Sequence, residues 1–292
     1  MENNNAYPFF MASENPGNNP DKCLFHVIPV PWEASVSYGG GTAMGPSAIL
    51  KASDQLERFD GVDEPANLGI WTHPPVACES SPAKVLSRIA KACDSVFSRY
   101  GIPVLLGGEH TVTLGGLMAA KEVFGEIGIV QIDAHADLRD AYEGNPYSHA
   151  SVMRRALDLG HSVFQVGVRA LSSEEADFRE AFPVAHLDAS AIALSGIPNN
   201  LLPHDFPERI WLTIDVDGID PTVMPATGTP VPGGLSWYQT LDVIAKSVSG
   251  RRIIGFDCVE LAPIDGLHHS DFTAAHLIYQ TMGMIQRQSR LP

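Results

Sequence analysis

The sequence predicts an α/β protein built on a mainly parallel sheet with helices over both faces. Segments of strand character alternate with amphipathic helical segments through most of the chain. The strand segments are continuous apolar runs rather than alternating ones, as expected of strands buried on both faces. Acidic residues and histidines also collect just past the C-terminal ends of four of these strands, where open α/β sheets bind ligands.

Taken in order, Met1 to Asp21 is rich in Asn and Pro, with Phe9, Phe10 and Met11 as its apolar cluster. It reads as an irregular arm that docks on the body or on a neighbouring subunit. Residues 22–292 are expected to form one domain, because no repeat, linker or compositional break interrupts them. Cys23–Val30 is the first strand. Gly39-Gly40-Gly41 lacks the Gly-Lys-Ser/Thr ending and the GxGxxG spacing of phosphate loops, and suits the mouth of a cleft. Ser47 opens a helix through Lys51, and Leu68–Trp71 is a short strand. From Pro82 to Tyr100, apolar residues at Val85, Leu86, Ile89, Cys93, Val96, Phe97 and Tyr100 make one helical stripe. The strand Ile102–Leu106 stops at Gly107-Gly108-Glu109-His110, and helix 113–123 follows. Strand Ile127–Ile132 runs into Asp133-Ala134-His135-Ala136-Asp137. Beyond it come helix Ser151–Leu159, strand Ser162–Val168 and helix 173–181, capped by Ser172 or Ser173. Strand Ile210–Ile214 ends in Asp215-Val216-Asp217, and Ser236 caps helix 237–248. Strand Arg252–Phe256 leads to Asp257 and Glu260, and helix 271–287 closes the chain.

A hydrophobic fraction of 45% and a charged fraction of 18% fit a globular protein with a substantial core. The net charge of −15 argues against a surface that neutralises nucleic-acid phosphates and is compatible with a small cationic substrate. Four scattered cysteines without metal or redox spacing point to a reduced, cytoplasmic protein. No apolar stretch approaches the roughly 20 residues of a membrane helix, and no basic region followed by an apolar core opens the chain.

Extended backbone alternates faces, so Asp133, His135 and Asp137 are expected to project to one side. Carboxylates mixed with an imidazole suit Mn, Fe or Zn rather than calcium. Alone, this pattern also describes a polar strand end with helix-capping acids. His110, the Asp215/Asp217 pair and Glu260 at other strand ends favour the metal.

These residues closely resemble the ureohydrolase superfamily of arginase, agmatinase and related guanidino-acid hydrolases. The resemblance rests on Gly107-Gly108-Glu109-His110, Asp133 to Asp137, Ser148-His149-Ala150-Ser151, Asp215 to Pro221, Pro225 to Pro230 and Asp257 to Glu260, in the family's order. It implies a three-layer αβα sandwich around a mainly parallel eight-stranded sheet, two Mn2+ per subunit, and a homotrimer or homohexamer. Carried over by position, Asp133 and Asp215 bridge the ions, His110 and Asp137 complete the deeper one, and His135 and Asp217 the outer one. Four aspartates would cancel the charge of two divalent ions, whose shared water loses a proton near neutral pH. The resemblance makes Asp133, Glu260 and His149 the catalytic set. Glu260 pairs with the guanidinium, Thr229 contacts it, and His149 protonates the departing amine. Ala150 departs from the family's usual glycine, which bears on the shape of the substrate loop. Asp220 and Asp257 are expected to orient loops or ligands, and Glu109 to bond internally. His161, His186, His204, His268 and His269 match no ligand position and are expected at the surface or in loops.

Substrate choice falls to Leu138–Ser148. Asp140, Tyr142, Glu143 and Tyr147 suit a distal ammonium, which favours agmatine, cleaved to putrescine and urea. Arg139 and Asn145 suit a carboxylate instead, which keeps guanidinobutyrate, guanidinopropionate and arginine as alternatives. The Thr227-Gly228-Thr229 run disfavours a formiminoglutamate-type hydrolase, and the intact ligand set disfavours a binding protein without activity.

Overall fold

The computed structural model describes residues 7–14, 19–182 and 184–288. Eight strands form one sheet: β1 (Phe25–Val30), β2 (Ile70–Thr72), β3 (Ile102–Gly107), β4 (Gly128–Ile132), β5 (Ser162–Val166), β6 (Ala185–Leu187), β7 (Arg209–Asp215) and β8 (Arg252–Val259). Their order is β2-β1-β3-β8-β7-β4-β5-β6, and every pairing is parallel. The helices are α1 (Gly45–Ser53), α2 (Pro82–Phe97), α3 (Val112–Phe124), α4 (Val152–Asp158), α5 (Ser173–Ala181), α6 (Ala189–Ser195), α7 (Trp237–Val248) and α8 (His269–Gln288).

Two apolar layers sandwich the sheet. Ile49 of α1, Val243 of α7 and Leu277 of α8 pack with Val104, Leu212 and Phe256 on one face. On the other, Leu86 and Ile89 of α2, Leu117 of α3 and Met153 of α4 pack with Ile28, Leu105 and Ile129. Adjacent strand residues such as Val104 and Leu105 thus serve opposite layers, which is why the strands read as unbroken apolar runs. Each fully buried side chain of this kind contributes about 1.5–3 kcal/mol. Among the described residues, no helix is long and apolar enough to cross a membrane.

Some boundaries differ from expectation. The α2 stripe stops at Phe97; Tyr100 sits in left-handed backbone (φ 59°) and is 90% exposed, because the chain reverses there into β3. Ser172, not Ser173, caps α5 through a capping box with Glu175, and Ser236 does the same for α7 with Gln239. The sequence reading missed β6 and α6. β6 is a three-residue edge strand with no buried position, so it leaves no apolar run. In the arm, Phe10 and Met11 are fully buried; their N–H groups donate to Thr72 Oγ1 and Ser53 Oγ, both at 2.9 Å. Residues 1–6 and 15–18 of that arm lie outside the described residues.

β3, β8, β7 and β4 are consecutive neighbours at the centre of the sheet. Their C-terminal ends therefore deliver His110, Glu260, the Asp215/Asp217 pair and the Asp133–Asp137 segment to one rim.

Candidate active site

The segment after β4 reaches the rim by bending. β4 ends at Ile132, and Asp137 lies in left-handed backbone with φ 53°, so simple strand alternation is not what gathers Asp133, His135 and Asp137. The bend is held from α4, whose Met153 and Arg154 N–H groups donate to the Asp137 carbonyl at 3.1 Å. Glu260 is also left-handed (φ 64°), with its N–H donated to the Gly108 carbonyl at 2.8 Å. Such backbone costs on the order of 1 kcal/mol or more per residue and persists only where neighbours enforce it. Gly218 lets the turn after β7 pass close by: a Cβ there would stand 2.6 Å from the Asp133 nitrogen.

Two groups of potential ligand atoms result. His110 Nδ1 lies 2.9 Å from Asp137 Oδ2, 3.2 Å from Asp133 Oδ2 and 3.3 Å from Asp215 Oδ2. His135 Nδ1 lies 2.9 Å from Asp217 Oδ2 and 3.6 Å from Asp133 Oδ1. Asp133 is common to both groups, offering one oxygen to each. Asp215, expected to bridge as well, places Oδ2 3.3 Å from His110 Nδ1, and its Oδ1 accepts the Asp217 N–H at 2.9 Å. The first group is fully buried and His135 is half-buried, which matches a deep and an outer position.

The residues fit metal ions. His110 Nδ1 is buried and makes no well-aligned hydrogen bond, although three carboxylates surround it. Its Nε2 lies 2.8 Å from Thr213 Oγ1, and Thr213 donates its hydroxyl to Asp257 Oδ1 at 2.6 Å. Thr213 must therefore accept from Nε2–H, which leaves the Nδ1 lone pair aimed at the carboxylate-lined point. Replacing Thr213 with valine is expected to weaken metal binding by about 10–100-fold and, by depriving the buried His110 Nε2–H and Asp257 Oδ1 of this partner, to lower the metal-free melting temperature as well. Calorimetric metal titration checks this, and unaltered affinity would remove Thr213 from the support of the site.

Beneath the ligands runs a row of register-paired polar side chains: Gln165 of β5, Gln131 of β4, Thr213 of β7 and Asp257 of β8. Gln131 donates to Asp133 Oδ2 at 2.6 Å, and Arg179 Nε donates to Gln165 at 2.8 Å. Asp257 also accepts from Trp211 Nε1 at 2.6 Å. As expected, Asp257 orients a ligand and Asp220 a loop, the latter through Thr222, Gly233 and Gly234.

Without cations the site is electrostatically frustrated. Burial, then the charge of Asp133, pushes the Asp137 carboxyl up to about 7; burial, then Asp217 and Asp133, hold Asp215 well above the usual range. Burial disfavours charge on His110 and His135, yet the surrounding carboxylates outweigh it, raising His110 well above normal and His135 to about 12. Without cations the cluster would therefore retain protons that cation binding displaces.

The ligand groups floor a cavity of about 370 Å³. Glu260, Thr229, His149 and Arg139 line it as expected. Glu260 Oε1 accepts the His110 N–H at 2.6 Å, and burial raises its carboxyl well above the usual range. Asp140 and Glu143 do not line it. Asp140 is exposed and held by Arg155 at 2.6 Å, on the side of α4. Glu143 sits at an exposed hairpin tip: Tyr142 and Asn145 exchange backbone hydrogen bonds, and Glu143 and Gly144 both have positive φ. Tyr142 does face the cavity, whereas Tyr147 and Asn145 do not. Arg139 Nε lies 3.8 Å from Glu175 Oε2, and its guanidinium lies over the Tyr142 ring at 5.5 Å. Among the lining residues that sequence reading missed are Ser35, Ser37 and Glu175.

A sequence profile for the arginase family matches residues 24–283. The chain belongs to the arginase family. It is 40% identical to the N(1)-aminopropylagmatine ureohydrolase of Synechocystis over 94% of this chain and 92% of that one. It is 36% identical to the N(1)-aminopropylagmatine ureohydrolase of Thermus thermophilus, covering 88% and 89%. The solved agmatine ureohydrolase of Thermoplasma volcanium superposes with a TM-score of 0.83 at 30% identity, covering 94% of each chain. As an arginase-family amidinohydrolase of the agmatinase type, the chain hydrolyses guanidino C–N bonds, and the family's chemistry depends on two metal ions.

Proposed function

We propose that this enzyme uses two manganese ions to release urea from a linear guanidino polyamine, agmatine or its N(1)-aminopropyl derivative. The observation that carries the substrate class is the state of Arg139. Among the described residues lining the cavity it is the one arginine or lysine, and it already faces Glu175 and Tyr142. A substrate carboxylate would have to displace Glu175, whereas an amine-bearing chain meets carboxylate and aromatic surface. The names of the Synechocystis and Thermus relatives favour the aminopropyl derivative over agmatine itself.

His110, Asp133, Asp137 and Asp215 would hold one ion, and His135, Asp217 and the second oxygen of Asp133 the other. When bound, the two ions supply an activated water at neutral pH and neutralise the carboxylates. Oxygen-rich donors with one imidazole each suit manganese. Glu260, fixed by the His110 N–H, presents its carboxylate to the guanidinium, and that cation favours its ionised form. Thr229, on the cavity wall beside Gly228, orients the same group. Burial lowers the His149 imidazole to about 4, so it is neutral at pH 7 and serves as a carrier of the proton the leaving amine needs.

The test is urea release by manganese-loaded protein offered N(1)-aminopropylagmatine, agmatine, guanidinobutyrate, guanidinopropionate and arginine. Preference for either polyamine supports the reading. Preference for a carboxylated substrate shows that Arg139 turns to the ligand and overturns it.

A further inference from the structure

His149 is held at both ring nitrogens. Nδ1 lies 2.8 Å from Ser35 Oγ and Nε2 lies 2.7 Å from Ser37 Oγ. The two serines, two residues apart on one stretch, reach opposite sides of the same imidazole. Ser35 Oγ also accepts the His149 backbone N–H at 3.1 Å. Having accepted that N–H, Ser35 Oγ keeps its proton and a second lone pair; in the arrangement proposed below the proton goes to Nδ1, so the ring proton of neutral His149 sits on Nε2 and points at Ser37 Oγ. Tyr142 packs edge-on against the ring at 5.8 Å between centroids.

The serine loop is fixed from the metal-ligand side. Glu109, the residue before His110, accepts the Ala34 and Ser35 N–H groups on one carboxylate oxygen, both at 2.6 Å. Glu33 accepts the Gly41 N–H at 2.8 Å and the Thr42 hydroxyl at 3.0 Å, and the Gly39 N–H donates to the Gly228 carbonyl at 3.1 Å. The triple-glycine segment therefore closes the serine loop against the Thr229 wall.

We propose that Ser35 and Ser37 are positioning residues for the reaction: Ser35 locks His149 in its Nε2–H tautomer, Ser37 holds that N–H, and Glu109 sets both by pinning the loop. The inference rests on His149 acting in proton transfer, as proposed above. The two hydroxyls have opposite electrostatic consequences. Ser35 donates to the lone pair that exists only in the neutral ring, so it disfavours protonation; Ser37 accepts from a nitrogen that carries hydrogen in both states, so it favours the cation. The other titratable groups facing the ring are Tyr142 from its own loop, His110 after β3, and Asp133 and His135 after β4, with Glu109 behind Ser35.

The experiment compares Ser35→Ala, Ser35→Thr, Ser37→Ala and His149→Ala by kcat and KM in manganese-loaded protein and by NMR titration of the His149 ring in protein loaded with diamagnetic zinc. Ser35→Ala is expected to lower kcat by about tenfold or more with KM changed little, since misplacing a reacting group is costly. Ser35→Thr, which keeps the hydroxyl, is expected to restore turnover. The His149 pKa is expected to rise in Ser35→Ala and to fall in Ser37→Ala. Wild-type turnover and an unshifted His149 in both alanine variants, with His149→Ala impaired, overturns the clamp and leaves the role of His149 standing. Full turnover in His149→Ala overturns that role, and the clamp with it.

Discussion

Asp133→Asn is expected to cut urea release by at least about a thousandfold, the several kcal/mol that metal activation supplies. Asp133 is the side chain common to both ligand groups, with Oδ2 toward His110 and Oδ1 toward His135. Both oxygens also accept protein hydrogen bonds at 2.6 Å, from Gln131 Nε2 and the His135 N–H. An asparagine therefore loses a negative charge and also turns an NH2 against one of these donors, so neither amide orientation restores the site. Metal content measured after gel filtration should fall with activity, while far-ultraviolet circular dichroism remains that of the parent. Full metal content with activity within tenfold of wild type would refute a shared role for Asp133. Asp140→Asn makes a useful contrast: that carboxylate is exposed on Arg155, and its loss should change turnover less than about twofold.

The difference between these two aspartates marks what a sequence discloses. Asp133, His135, Asp215 and Asp217 were legible because each follows an apolar run, and strand ends converge whatever the connections between them. The polar row was legible in principle too, since Gln131, Gln165, Thr213 and Asp257 each interrupt an otherwise apolar strand. Asp140 and Glu143 show the limit. Their charge is written in the sequence, but their direction depends on Arg155 and on a two-residue turn that faces Glu143 outward. Likewise, the bend at Asp137 is set by N–H groups of Met153 and Arg154 on another element. His161 was expected at the surface or in a loop; it lies in a loop, yet is only 3% exposed, its two nitrogens meeting the Ile127 N–H and the Leu117 carbonyl at 3.3 Å. Ser35 and Ser37 had no local mark at all, because their partner lies more than a hundred residues away.

Stripped of metal, the protein is expected to lose stability as pH rises from about 6.5 to 8, above the range in which its depressed histidines act with the opposite sign. Asp137 titrates at about 7 in the fold but near 3.9 in an unfolded chain. A raised carboxyl contributes stability that is fully present below the unfolded value and disappears as pH climbs through the folded one. Asp215 and Glu260 are raised too and act in the same direction. His110 and His135 are also raised, so their contribution is complete below about 6.5 and declines above it. Asp133, lowered by its two histidine partners against burial, and the imidazoles of His26, His73, His149, His161 and His276, lowered chiefly by burial, have the opposite sign, but their contributions are complete above about 6.5 and leave this window to the raised groups. At about 1.4 kcal/mol per pH unit for each titrating group, the raised groups' contributions together fall by a few kcal/mol across that window. Divalent cations replace the lost protons, so manganese should add more stability at pH 8 than at pH 5, because binding must expel fewer protons there. Calorimetric melting of chelator-stripped protein at pH 5, 6, 7 and 8, with and without manganese, reads both slopes. A stripped melting temperature that is flat or rises between pH 7 and 8, or a manganese increment that shrinks with pH, would mean the carboxylates relax apart in solution. The buried cluster would then be a product of metal binding rather than a frame that awaits it.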